Sequence, residues 1–293
     1  MGSAHEALRC ARTRRTSSSW WSVRENHVTS LIVIPTYNER ENIVGLVEDI
    51  LRLVPTTDLL IIDDNSPDGT GQVVDALSAR KPQVHVLHRA GKLGLGTAYV
   101  EGFEYAIAHG YDLVFEMDAD FSHDPRYLPD FFQASERADL VIGSRYIAGG
   151  GTPNWSALRK FISGGGNIFA RAVLGVPVHD CTSGYRCYRT QALRTLNLRK
   201  IRAQGYSFQV EMAYIFWQRG YRIREVPIVF EDRRVGKSKM SRTIFLEAFL
   251  WVLRTRLTGD PVVTEQVTVD AGSQRVDGAS KASAEGAAES RRP

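Results

Sequence analysis

Short continuous apolar runs alternate with amphipathic stretches through the first half of the chain. Leu31–Pro35 reads LIVIP, and from Glu41 to Val54 the residues Ile43, Leu46, Val47, Ile50, Leu51 and Val54 recur at helical spacing. The pairing then repeats. A strand at Leu59–Ile62 precedes a helix that Asp68 caps and that runs to Ala79; a strand at Val84–Leu87 precedes a helix over Gly96–His109. Leu113–Met117 reads as a fourth strand, Pro125–Glu136 as a helical stretch and Leu140–Ile142 as a fifth strand. Wholly apolar strands alternating with helices predict an α/β fold, a mostly parallel sheet with helices on both faces. Ligands of such sheets sit beyond the carboxyl ends of the strands.

The second half is less regular. Gly149–Gly151 and Gly164–Gly166 mark loops, Ser156–Leu174 has helical spacing, and Tyr221–Phe230 predicts a further strand. Ile244–Leu253 is apolar almost all round and is followed by Arg254 and Arg256, which fits a helix in a membrane interface as well as one in a core. Ten helical residues reach about 15 Å, half a bilayer core. No stretch approaches the roughly 18–20 apolar residues that a spanning helix needs. Residues 1–27 are basic and lack the apolar core of a secretory signal, and residues 259–293 shift to Ala, Ser, Gly, Glu and Val without period. Both predict disorder around one folded unit, 28–258.

Composition is that of an ordinary globular protein, 43% hydrophobic and 24% charged, with a net charge of +4. The excess is local: Arg222–Arg256 holds nine Lys/Arg against four Asp/Glu, which suits an anionic ligand or surface. Three cysteines at unhelpful spacing give neither a zinc ribbon nor a disulfide framework and fit a reducing, cytoplasmic setting.

The expected strand ends are polar and acidic: Thr36 to Glu39 after the first strand, Asp63 and Asp64 after the second, Asp118 and Asp120 after the fourth. Alternate carboxylates leaving a strand can share a hard cation such as Mg²⁺ or Mn²⁺, which completes its shell with water and substrate phosphates. Capping of the next helix explains an isolated pair equally well. Asp63 and Asp64 can accept from a base or ribose. They also suit a phosphorylation receiver domain, but such a domain is far shorter and gives no role to the arginines further on. Arg145, Arg159, Arg233 and Lys239 add cations suited to phosphate oxygens, and Gly236 and Ser238 make the segment between the last two a loop able to close on a ligand.

Eight segments in order resemble glycosyltransferase family 2, and within it the polyprenol-phosphate mannose synthases: IPTYNERENI, IIDDNSPDGT, KLGLGTAY, MDADFSHDP, GSRY, LRKFISGGGN, DCTSGYRCY and DRRVGKSK. The resemblance covers roughly residues 31–239. It implies the GT-A fold, a Rossmann-like sheet with a nucleotide-sugar half over about 28–143 and an acceptor half over about 144–258. It also implies inverting transfer of mannose from GDP-mannose to a polyprenyl phosphate. Pro35, Tyr37, Glu39, Ile62 and Asp64 then line a guanosine pocket, and Asp118, Ala119 and Asp120 form the ribose, diphosphate and metal site. Ser122 stands where some relatives carry a metal-ligating Gln. Arg233 and Lys239 become donor diphosphate ligands, and Arg145, Arg159 and Ser163 the cradle for the lipid phosphate. The expected cofactor is Mg²⁺ or Mn²⁺; the expected setting is the cytoplasmic face of a membrane, with room for a separate membrane-spanning subunit and no nucleic-acid partner. UDP-glucose as donor, or a non-catalytic nucleotide-binding subunit, are the alternatives.

Overall fold

A computed structural model describes residues 28–201, 205–231, 242–259 and 261–264. The basic lead, most of the tail, and the expected closing loop with Arg233 and Lys239 lie outside them.

Among the described residues seven strands form one sheet in the order β3-β2-β1-β4-β6-β5-β7. The strands are β1 (Ser30–Thr36), β2 (Asp58–Asp63), β3 (Val84–His88), β4 (Leu113–Glu116), β5 (Leu140–Ser144), β6 (Arg186–Arg189) and β7 (Ile223–Pro227). The helices α1 (Arg40–Leu53), α2 (Thr70–Ser78), α3 (Leu95–His109), α4 (Leu128–Ser135) and α5 (Ala157–Leu174) follow the predicted pattern. Successive strand residues pack on opposite faces: Leu31 and Val33 belong to one buried cluster, Ile32 and Ile34 to the other. The sheet therefore has a core on each side, which is why the strands read as unbroken apolar runs.

α3 packs tightly on β1 at Gly102, where an added Cβ would lie 2.6 Å from both Val33 methyls. Asp68 ties two helix starts together: its carboxylate accepts from Thr70 N–H at the start of α2 and from Arg40 N–H at the start of α1.

Three features depart from the sequence reading. β6 was not anticipated; it runs antiparallel between β4 and β5, and its short, Arg-flanked RCYR sequence hides it. Arg186 is tolerated at full burial because its guanidinium donates to the Ser183 and Cys181 carbonyls and to the Tyr188 hydroxyl, with Glu116 opposite it in register. The Gly164–Gly166 run is no loop but lies inside α5, which Ser156 caps by accepting from Arg159 N–H. After the one-turn α6 (Thr190–Leu193), α7 (Tyr206–Gln218) was also missed: Phe208 to Phe216 are all buried except Tyr214, so the helix shows no polar stripe to betray its period.

The expected strand over Tyr221–Phe230 is present as β7, followed by an isolated bridge from Val229 to Gly151. α8 (Arg242–Thr258) packs against α5 through a stack of Phe249 on Phe169, buries Val252, and leaves Leu250 and Leu257 outward. Beyond Thr258 the described residues include α9 (Pro261–Thr264), in which Val262 is buried with its carbonyl held by Arg219. Among the described residues no helix is long and apolar enough to cross a membrane.

Candidate active site

Three residues other than glycine have positive φ among those described: Asn38, Asn65 and Phe121. Each stands just past the carboxyl end of one of the adjacent strands β1, β2 and β4, the edge where the sequence places its chemistry. Left-handed backbone at a bulky residue such as Phe121 is costly and clusters at functional sites. Here it turns the chain back so that Ser122 N–H donates to Asp120 Oδ1 at 3.0 Å.

Past β2 the two acids divide their work. Asp63 is structural, accepting from Thr36 Oγ1 at 3.1 Å and from Ser66 N–H at 3.0 Å, so it fixes the turn. Asp64 is gripped by the buried Arg89, whose Nε donates to Oδ1 at 2.5 Å. Arg89 also donates to Thr97 Oγ1 and Gly94 O, anchoring the start of α3. Lys92, on the loop so anchored, lies 4.6 Å from the centre of the Tyr37 ring. Tyr37, Pro35 and Glu39 are half-buried along the same edge. Ile62 and Ala119 are buried in the core behind it, with 0% and 3% exposure.

Past β4, Asp120 is buried, whereas the Asp118 carboxylate is one-third exposed. Tyr99 donates to Asp118 Oδ1 at 3.3 Å. His123, which the sequence reading left unassigned, is buried, and its Nδ1 accepts from Asp118 N–H at 2.9 Å. That bond requires a neutral ring with its proton on Nε2, the atom 3.9 Å from Asp118 Oδ2. Behind the pair, Glu116 accepts from Gln209 Nε2 at 2.8 Å; burial pushes its carboxyl up to about 7, only partly offset by the Arg186 charge.

Among the described residues no group of three His, Cys, Asp or Glu could hold a metal by itself. The donor set still fits a hard cation. Asp118 and Asp120 supply two carboxylates, and the buried Ser122 Oγ has no hydrogen-bond partner, leaving an oxygen available beside them. Such a set suits an ion that leaves the rest of its shell to water and substrate phosphate.

Arg145, Arg159 and Ser163, expected on the acceptor side, also fall in one cluster. Trp155 has the Arg159 guanidinium 3.9 Å and that of Arg145 5.4 Å from its ring centre. Tyr146 lies 5.5 Å from the Arg145 guanidinium and donates its hydroxyl to Ser163 Oγ at 2.7 Å. Arg145 is itself buried and paired with Asp180, through Nε and Nη2 at 2.7 Å each, and Nη2 also reaches Thr182. Burial alone would push the Asp180 carboxyl up, but the Arg145 charge and its hydrogen bonds more than reverse this, so it is held below the usual range.

Phe230 joins the two halves. Its ring lies 6.0 Å from His123, 5.6 Å from Trp155 and 5.5 Å from the Arg145 guanidinium. It therefore lies beside both His123, which bonds the Asp118 backbone, and the arginine cluster. Arg89, His123, Trp155, Asp180 and Phe230 escaped the sequence reading. His123 and Asp180 lay within segments singled out there, MDADFSHDP and DCTSGYRCY, but one sequence does not show what a side chain holds.

A doubly covered, mostly parallel sheet with one reversed strand carries its acidic residues past the ends of β2 and β4. The model of "Glycosyl transferase family 2" matches residues 31–196. An undecaprenyl-phosphate mannosyltransferase of Micrococcus luteus is 48% identical over 224 residues, 76% of this chain and 92% of that protein. A polyprenol monophosphomannose synthase of Mycolicibacterium smegmatis is 43% identical over 234 residues, 78% of this chain and 88% of that protein. Among solved structures, glucosyl-3-phosphoglycerate synthase from Mycobacterium tuberculosis, in complex with Mn²⁺, UDP and glucosyl-3-phosphoglycerate, matches with a TM-score of 0.56 at 19% identity, covering 78% of this chain and 80% of that one. The chain belongs to glycosyl transferase family 2 and has the GT-A fold.

Proposed function

We propose that the protein transfers mannose from GDP-mannose to a polyprenyl phosphate at a membrane surface, inverting the anomeric carbon. The observation that carries this reading is Phe230, whose ring lies beside His123, the residue bonded to the Asp118 backbone, and beside the Arg145 guanidinium; it supports reading the acids and the arginines as parts of one site. The names of the 48% and 43% identical relatives support the sugar and the lipid.

In this reading residues 28–143 form the donor half. Asp64, held by Arg89, accepts from the guanine; Tyr37, Pro35 and Glu39 flank the nucleoside, with Ile62 and Ala119 behind them. Asp118, Asp120 and Ser122 hold a divalent cation, and the resemblance adds Arg233 and Lys239 as diphosphate ligands. When bound, Mg²⁺ or Mn²⁺ supplies positive charge where negative charge gathers on the departing diphosphate. His123 keeps the Asp118 backbone in place through its Nδ1.

Residues 144–258 form the acceptor half. Arg159, Ser163 and the Asp180-braced Arg145 orient the lipid phosphate toward the anomeric carbon. A phosphate monoester is already anionic near neutral pH, so the chain needs no general base, and Glu211 is given no such role. The outer surface suits a lipid substrate: Leu158, Phe161 and Ile168 on α5 are 68%, 78% and 66% exposed, and Leu250 and Leu257 on α8 are 54% and 85% exposed. Lys160, Arg254 and Arg256 lie exposed among them, as expected of a face meeting anionic headgroups.

Calorimetric titration with GDP and UDP in the presence of Mn²⁺ tests the donor assignment. GDP is expected to bind at least tenfold more tightly. Tighter binding of UDP would shift the reading to a UDP-glucose-dependent enzyme.

A further inference from the structure

Trp155 immediately precedes the Ser156 cap of α5 and is 8% exposed. The Arg159 and Arg145 guanidiniums lie at its ring and the Phe230 ring meets it edge-on, with 77° between the ring planes. The indole Nε1–H can only donate, and it is buried with no acceptor. Buried orphan donors are rare in native proteins and call for a ligand or water. The ring that carries this donor lies near both guanidiniums, and Arg145 in turn approaches the Tyr146 ring whose hydroxyl bonds Ser163. Ser163 Oγ accepts the Tyr146 hydroxyl hydrogen, which leaves its own proton to donate.

We infer that Trp155 is a binding residue for the acceptor, donating through Nε1–H to an oxygen of its phosphate. The inference rests on the reading of this cluster as the acceptor-phosphate site. A phosphate monoester presents three acceptor oxygens, which matches an indole N–H, a guanidinium and a hydroxyl better than a planar carboxylate does. The pairing of Arg145 with Asp180 sharpens the point. With that cation largely neutralised by a buried carboxylate, neutral donors carry more of the recognition, and the indole is positioned to be one of them.

The test exchanges the N–H for sulfur by placing 3-benzothienylalanine at position 155, which keeps the bicyclic ring and its contacts with both arginines. Trp155→Phe is the genetic counterpart. Measured are the KM for a short-chain polyprenyl phosphate, the KM for GDP-mannose, direct binding of the polyprenyl phosphate by calorimetry, and thermal unfolding. The isostere is expected to raise the acceptor KM and weaken direct binding about tenfold or more, the loss of one charge-assisted hydrogen bond. The GDP-mannose KM and melting temperature should stay unchanged. Acceptor binding within twofold of wild type in the isostere overturns the inference and assigns the orphan N–H to a water. Equal rises in both KM values overturn it in favour of a packing role. A wild-type protein that binds the lipid phosphate through this N–H yet transfers no mannose would leave the site standing and refute the proposed reaction instead.

Discussion

The Arg145 guanidinium binds Asp180 through Nε and Nη2, both at 2.7 Å, while the Asp180 carboxylate also accepts the Arg145 backbone N–H at 3.0 Å. Both side chains are buried, so the pair is insulated from solvent. Asp180 thereby fixes the position of a residue assigned to the acceptor phosphate without touching that phosphate itself.

Removing one partner of such a pair leaves the other charge buried alone, at a cost of about 3–5 kcal/mol. Asp180→Asn is therefore expected to lower the urea midpoint sharply at pH 7. The Asp180 carboxyl is held below its unfolded value of 3.8, so its contribution to stability is complete above that pH and is lost as pH falls through the folded value. The difference between wild type and variant should shrink as unfolding is measured at progressively lower pH below 4. A difference that stays constant would assign the stabilisation to something other than this ionisation.

In the proposed function Arg89 braces Asp64 on the donor side as Asp180 braces Arg145 on the acceptor side. Arg89→Leu should raise the KM for GDP-mannose at least tenfold, because Asp64 loses its charge-assisted anchor and the loop carrying Lys92 loses its tie to Gly94 and Thr97. The KM for polyprenyl phosphate should move little. Steady-state kinetics with each substrate varied in turn separate the two effects.

Gly102→Ala tests the packing of α3 on β1. Its methyl would meet both Val33 methyls at 2.6 Å, well inside contact distance, so overpacking should cost about 1–3 kcal/mol. Thermal unfolding reads the loss, and Val33→Ala in the same chain should recover part of it.

Chelation of divalent cations should abolish transfer, and Mn²⁺ or Mg²⁺ should restore it. Asp120→Ala should reduce kcat at least a hundredfold even at saturating metal. Ser122→Ala should instead raise the metal concentration needed for half-maximal rate, leaving kcat nearly intact. Full activity of Asp120→Ala would refute the metal assignment.

The order of β1 to β5 with their intervening helices was legible because each strand is buried on both faces and each helix carries an apolar stripe. What escaped has a common physical cause. β6 is short and opens on an arginine, Arg186, whose burial depends on the Ser183 and Cys181 carbonyls and on Glu116 opposite it, and α7 is buried around most of its circumference. The three glycines inside α5 read as a break, yet the helix tolerates them; an added Cβ at Gly165 would meet nothing within 4 Å, and the structure gives no packing reason for that residue. In the site, the strand-end acids and the arginines could be nominated from sequence because their chemistry is overt. Arg89, His123 and Asp180 could not, since their work is to hold other residues and the contact runs across 25, 5 and 35 positions of chain.

The central claim is tested most directly by incubating purified protein with radiolabelled GDP-mannose, a polyprenyl phosphate and Mn²⁺, then extracting into organic solvent. Label should appear in the organic phase as a mild-acid-labile lipid, in proportion to enzyme and only when both lipid phosphate and metal are present. An organic phase free of label, with label instead released as free mannose or passed to a water-soluble acceptor, would contradict it.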